Sequence, residues 1–400
     1  MNYRDALAWL YGTQTFGFKL GLDNTHRLMA AAGNPHEKLK FLHVAGTNGK
    51  GSVCAMLDAV LREAGIRSGL YTSPHLIGFR ERILVDGAMI PEGAAAEGLT
   101  LLRDAAADWG QQPTFFELAT VLAAWWFARS GAEVVAWETG MGGRLDATNV
   151  VTPLVSIIVP VGMDHREHLG PTLAAIAGEK AGIIKSGAPV VSAPQEEEVR
   201  AVLRARARDC GSPLHFLDVP CEEPLGLFGG HQKWNAALAL AALDAAGLVP
   251  GAGARRRGLA SVQWPGRFQR VRDDLVIDGA HNADAVEVLV RAWRDAFGDT
   301  KARLVFGALR DKTPGDLLRL LRAISDDVVL VPVNSARAAS FQELRAAAES
   351  CGFASLHEGR LDGVLRDAAA GPTLVTGSLF LAGEALALLQ GVRKPEPSSQ

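Results

Sequence analysis

One lysine and one serine set among three glycines, in Gly46-Thr47-Asn48-Gly49-Lys50-Gly51-Ser52, carry the clearest chemical signal in the chain. Closely spaced glycines let several backbone N–H groups point into one small space, and a following helix adds partial positive charge. Such a cradle suits phosphate oxygens, with Lys50 reaching the outer phosphates and Ser52 lying near them or their metal. The spacing departs from G-x-x-x-x-G-K-[ST], because the first interval is short and Gly51 separates Lys50 from Ser52. An ordinary glycine-rich turn is the competing reading. Glu138 comes next: it ends an apolar run and precedes the glycine-rich segment 139–149. A carboxylate there suits magnesium, which shares oxygen ligands with phosphates, although a strand-terminal glutamate commonly meets solvent. Ser73 and His165 also stand just beyond apolar runs. Lys180 closes a helix of small residues, where a lysine is ordinarily solvated, and residue chemistry alone gives it no task.

Alternating strands and helices must position these groups. The apolar run 40–45 reads as a buried strand before the phosphate loop, and 53–64 has helical spacing after it. Further strands are expected at 67–72, 133–138, 154–159, 189–193 and 214–219, with helices at 3–11, 25–32, 115–130, 172–180, 196–210 and 236–246. Trp125 and Trp126 read as core, and segment 16–24 as a loop that is either a lid or a connector. Polar residues at successive strand ends argue a doubly wound, mostly parallel α/β sheet, which places ligands along that rim. The pattern restarts after Trp264-Pro265-Gly266-Arg267, with strands at 275–278, 303–306, 328–333 and 373–376. The expected division is therefore a domain at 1–265, a smaller C-terminal α/β domain at 266–392, and a frayed tail at 393–400.

At 400 residues, with 48% hydrophobic and 21% charged side chains, the composition is that of an ordinary globular protein with two domains. A net charge of −3 leaves no electrostatic footprint for nucleic acid or an acidic membrane surface. The apolar stretch 118–128 is too short to span a bilayer, and the first residues do not read as a signal peptide. Four cysteines without C-x-x-C spacing suggest reduced, buried thiols and a cytoplasmic location.

The order of motifs closely resembles the folylpolyglutamate synthase and dihydrofolate synthase family, within the Mur-ligase-like ATP-dependent amide ligases. The segments that carry this resemblance run from Gly17 to Gly383. They include the segments 20–23 and 43–52, Ser73-Pro74-His75-Leu76, Phe116-Glu117, the segment 142–149, Asp164-His165, Leu169-Gly170 and the segment 176–183. In the second half they are Asn235, the segments 265–268 and 278–282, Asp311-Lys312 and Thr376-Gly377-Ser378. Thr139 and Met141 stand where the family more often has apolar residues.

The resemblance implies that Asn48, Gly49, Lys50, Gly51 and Ser52 cradle ATP phosphates, with Asn235, Arg267, Asp278 and His281 gripping ATP from the domain interface. Ser73, Glu138 and His165 would bind magnesium, two ions in all, with a monovalent cation as a further candidate. Lys180 would be the carbamylated lysine, and Lys50, Glu138, His165 and Lys180 the catalytic set. Lys19, Leu20, Gly21, Phe115, Phe116, Glu117, Leu118, Leu145, Asp146 and Ala147 would line the pocket for the pterin or pteroate group. The implied reaction joins L-glutamate to dihydropteroate and to reduced folates by way of an acyl phosphate, in a monomeric enzyme. A monofunctional enzyme, a UDP-muramoyl amino acid ligase, a P-loop kinase or NTPase, and a non-enzymatic nucleotide-binding module are the alternatives.

Overall fold

The structure is a computed structural model that describes residues 1–16, 21–366, 371–392 and 394–397. Lys19 and Leu20 lie outside the described residues. Eight strands make the first sheet: β1 (Lys40–Ala45), β2 (Ser68–Tyr71), β3 (Ile83–Val85), β4 (Ala88–Met89), β5 (Val134–Glu138), β6 (Val155–Ile158), β7 (Val190–Ser192) and β8 (Leu214–Phe216). Their order is β4-β3-β2-β5-β1-β6-β7-β8. All pairings are parallel except those of β2 with β3 and β3 with β4.

Both faces of this sheet are covered, which explains its continuous apolar runs. Phe41, Val135 and Trp137 enter a core with the helices Tyr3–Gly12, Asp23–Ala31, Glu92–Ala106 and Phe115–Arg129. Leu42, Val44, Val134 and Ala136 face the opposite way, toward the helices Lys50–Glu63, Gly230–Ala245 and Ala252–Ser261. The first and third helices of that layer approach closely: a Cβ at Gly258 would lie 2.6 Å from Val60 Cα. Trp137 fastens β5 to the following loop by donating from Nε1 to Thr148 O at 3.0 Å. Replacing such a buried indole by alanine typically costs about 3–5 kcal/mol.

The second sheet contains β9 (Gln269–Arg272), β10 (Leu275–Ile277), β11 (Arg303–Phe306), β12 (Asp327–Leu330), β13 (Ser355–Glu358) and β14 (Thr373–Thr376). They run in the order β13-β12-β11-β14-β10-β9, parallel except for β9 against β10. Val276, Leu304 and Val328 pack on one side, and Ile277, Val305 and Val329 on the other. Two doubly covered, parallel-dominated sheets are the α/β architecture expected from the sequence.

Several local expectations change. The phosphate-loop helix starts at Lys50, so Gly51 and Ser52 belong to its first turn. Strands β3, β4, β9 and β13 and the helix Glu92–Ala106 are additional elements. The tail is not simply frayed: Glu396 N–H donates to Ile77 O at 2.7 Å. Among the described residues, no helix is long and apolar enough to cross a membrane.

Candidate functional site

Strand order brings the chemical residues together. Of the neighbouring strands β2, β5, β1 and β6, β5 ends at Glu138, and the others lead into Ser73, the phosphate loop and His165. With strands about 5 Å apart, their carboxyl ends form one rim about 15 Å long. That rim faces Arg267, Asp278 and His281 across a cavity of about 770 Å³ lined from both sheets.

The phosphate loop needs its glycines. Gly46 has φ +142°, and a Cβ there would lie 2.1 Å from Val159 Cγ2. Gly49 caps the helix with φ +103°, which avoids a side chain against Asn235 Oδ1. Thr47 Oγ1 accepts from Gly162 N–H at 3.0 Å, tying the loop to the segment after β6. Lys50 Nζ lies 3.4 Å from the Gly46 carbonyl and 4.0 Å from Glu138 Oε1. Lys180 Nζ donates to the same Gly46 carbonyl at 2.8 Å. Burial, reinforced by the Lys50 charge, brings the Lys180 amine down to about 7.

Glu138 is 4% exposed, and Oε2 accepts from Ser73 N–H at 3.0 Å. Burial raises its carboxyl, opposed by Lys50 and the Ser73 N–H. His165 sits at φ +52°, and burial brings its imidazole down to about 3 despite the neighbouring Asp164 carboxylate. A hydroxyl, a carboxylate and a neutral imidazole therefore border one cavity. Among the described residues no group of three or more His, Cys, Asp or Glu side chains converges as a metal cage. Such a sparse donor set fits magnesium, which keeps phosphate oxygens and water as its other ligands.

The opposite wall is held by Asp278, whose carboxylate accepts from Phe268 N–H at 2.7 Å and Ala280 N–H at 2.8 Å. Burial raises the Asp278 carboxyl, and Arg267 opposes that shift. Burial also brings His281 down to about 4, and its Nδ1 lies 2.8 Å from Gly279 O. Asn235 lines the cavity from the helix Gly230–Ala245.

Gly21, Phe115, Phe116, Glu117, Leu145, Asp146 and Ala147 line the same cavity. Leu118 corrects the expectation: it is 0% exposed, packs in the core of the first sheet and is absent from the cavity wall. It lies two residues beyond Phe116, on the opposite side of the helix, and joins the core that Phe115 also enters. Glu117 and Asp146 also have structural work. Glu117 closes a capping box, accepting from Thr114 N–H at 2.7 Å. Asp146 accepts from Met141 N–H at 2.8 Å and Thr148 N–H at 3.0 Å, which shapes the glycine-rich loop.

Sequence reasoning missed a cluster around Asp164. Asn48 and Asn282 exchange amide hydrogen bonds at 3.0 and 3.2 Å, and Asn282 also donates to Asp164 at 3.1 Å. Lys312 Nζ donates to Asp164 Oδ1 at 2.5 Å. Burial raises the Asp164 carboxyl, but His165, Lys312 and His281 together outweigh it and hold it below the usual range. The neighbouring His165 and the segment 278–282 were the available signals for this cluster. Phe268, the last residue of the motif 265–268, lines the cavity as well, as do His231 and Trp234, which no distinctive spacing announces.

A glycine-rich phosphate loop facing a second α/β domain across a shared cavity defines the class of Mur-ligase-like ligases, and residues 266–375 match the Mur ligase, glutamate ligase domain. The chain is 36% identical over 382 residues to the dihydrofolate synthase/folylpolyglutamate synthase of Bacillus subtilis, covering 87% of this chain and 89% of that one. Folylpolyglutamate synthase of Mycobacterium tuberculosis, solved with ADP and AMPPCP, superposes with TM-score 0.88 at 30% identity, covering 99% and 100% of the two chains. Escherichia coli FolC in complex with DHPP and ADP gives TM-score 0.86 at 31% identity, covering 97% and 98%. The chain belongs to the folylpolyglutamate synthase/dihydrofolate synthase family.

Proposed function

We propose that this protein is an ATP-dependent ligase that joins L-glutamate to 7,8-dihydropteroate and to the γ-carboxyl of reduced folates, releasing ADP and phosphate. The observation that carries this reading is one cavity lined together by the glycine-rich loop, by Asn235, Arg267, Asp278 and His281, and by the aromatic rings of Phe115 and Phe116. Residues 1–265 and 266–392 are the two domains of this reading.

Asn48, Gly49, Gly51 and Ser52 cradle the phosphates with backbone N–H groups, while Asn235, Arg267, Asp278 and His281 hold the nucleotide from the other side. A carboxylate oxygen of the pterin substrate attacks the γ-phosphorus, ADP leaves, and an acyl phosphate remains. The glutamate amine then attacks the acyl carbon, inorganic phosphate departs, and the amine loses a proton. Lys50 neutralises charge on the transferring group, a contact typically worth about 3–4 kcal/mol. Ser73, Glu138 and His165 would hold magnesium, which would supply further charge neutralisation. Lys180 reacts as its neutral amine with carbon dioxide, giving a carbamate anion and a proton; its low proton affinity favours that reaction at neutral pH. Gly21, Phe115, Phe116, Leu145 and Ala147 wall the pterin pocket, and Glu117 and Asp146 fix the shape of its backbone. Closure between the domains excludes water that would hydrolyse the acyl phosphate.

Incubation with ATP, L-glutamate and either dihydropteroate or tetrahydrofolate, followed by separation of the products, tests both activities. Phosphate release without dependence on a pterin substrate and glutamate would sink the ligase reading.

A further inference from the structure

The segment 394–397 leaves the last helix of the second domain, Leu379–Leu389, and returns to the first. Gly391, at φ +75°, turns the chain, and the Glu396 backbone N–H donates to Ile77 O at 2.7 Å. The Glu396 side chain goes further. Its Oε2 accepts from Phe79 N–H at 2.6 Å and from the Tyr11 hydroxyl at 3.3 Å. Burial, together with this carboxylate, raises the Tyr11 phenol far above its ordinary value, so it remains a donor at neutral pH.

The two residues held by that oxygen flank the same ring. Tyr11 stacks on Phe115 at 5.6 Å and 15°, and Phe79 meets Phe115 edge-on at 5.9 Å and 85°. Phe115 is a wall of the cavity. A carboxylate accepting two hydrogen bonds fixes its partners more firmly than a neutral acceptor would.

We propose that Glu396 is a positioning residue for the pterin pocket: tethered to the second domain, it holds Tyr11 and Phe79 against Phe115 and so sets the pocket wall for the pterin ring. The proposal rests on the pterin reading of that part of the cavity. It makes pterin binding sensitive to the second domain, although Glu396 touches no substrate. ATP binding, which uses the phosphate loop and Arg267, has no such dependence on Glu396.

Steady-state kinetics of Glu396→Ala, Glu396→Gln and Tyr11→Phe, with thermal melting of each variant, test it. Glu396→Ala is expected to raise the KM for dihydropteroate about tenfold while the KM for ATP stays within about twofold. Glu396→Gln keeps an acceptor for Phe79 N–H and should recover most of the loss, and Tyr11→Phe should raise the same KM about threefold. Equal rises in both KM values, or a lower Tm with both KM values unchanged, would overturn the proposal. Wild-type protein that fails to turn over dihydropteroate overturns the functional reading and this one together. Normal wild-type turnover with an unchanged dihydropteroate KM in Glu396→Ala overturns this one alone.

Discussion

Two lysine Nζ atoms converge on the Gly46 carbonyl, Lys180 at 2.8 Å and Lys50 at 3.4 Å. Their proximity divides their tasks. Both border the cavity, but Lys50 is 16% exposed in its side chain whereas Lys180 is buried. Lys50→Ala should leave the melting temperature within a few degrees and lower turnover by about a hundredfold or more, the usual scale for losing one preorganised charge contact. Near-normal ligation by that variant would remove Lys50 from the mechanism. Lys180 gives a pH signature. Folded, its amine titrates at about 7 instead of 10.5, so between those values the unfolded chain binds more protons at this site. Its contribution to stability therefore rises with pH across that window. In degassed, bicarbonate-free buffer, wild type should gain stability relative to Lys180→Met between pH 7 and pH 10; denaturant titrations at the two pH values check the sign.

Elements differ in how plainly the sequence announces them. Strand β1 occupies the predicted 40–45 because both its faces are buried after Lys40, leaving an apolar run interrupted only by the buried His43. Strands β9 and β13 alternate or end in exposed polar residues, Gln269–Arg272 and Ser355–Glu358, and look like loop until a neighbour pairs with them. The phosphate helix hides its first turn because Lys50, Gly51 and Ser52 carry no apolar period and its cap, Gly49, has no side chain. The rim of Ser73, Glu138 and His165 was legible because polar residues follow apolar runs. The roles of Glu117 and Asp146 were not, since a carboxylate that caps backbone N–H groups has the same letter as one that binds a ligand. The Thr114 to Glu117 spacing is the cue that separates them. Helix packing makes its own prediction. A Cβ at Gly383 would lie 2.3 Å from Leu76 O, so Gly383→Ala must displace the last helix from the segment after Ser73. We expect about 1–3 kcal/mol of lost stability, read by denaturant unfolding.

At the scale of the molecule, the domains meet through Asp164. It receives Lys312 and Asn282 from the second domain while Asn282 pairs with Asn48 of the phosphate loop. Lys312 and Asp164 side chains are only 7% and 10% exposed, so removing one charge leaves the other in a poor solvent. Lys312→Met should therefore disfavour this arrangement of the two domains by about 2–5 kcal/mol. The expected outcome is a steep fall in kcat/KM with a modest change in Tm; unchanged kcat/KM would show that the arrangement does not depend on this pair. The shared cavity also has a meaning for the chain as it is made. Synthesis runs from the N-terminus, and domains fold largely in that order. A ribosome-bound chain that has released only the first sheet already owns Lys50 and Glu138, but Arg267, Asp278 and Asn282 are still to come. A chain released only that far has one wall of the cavity and lacks the wall that the second sheet supplies.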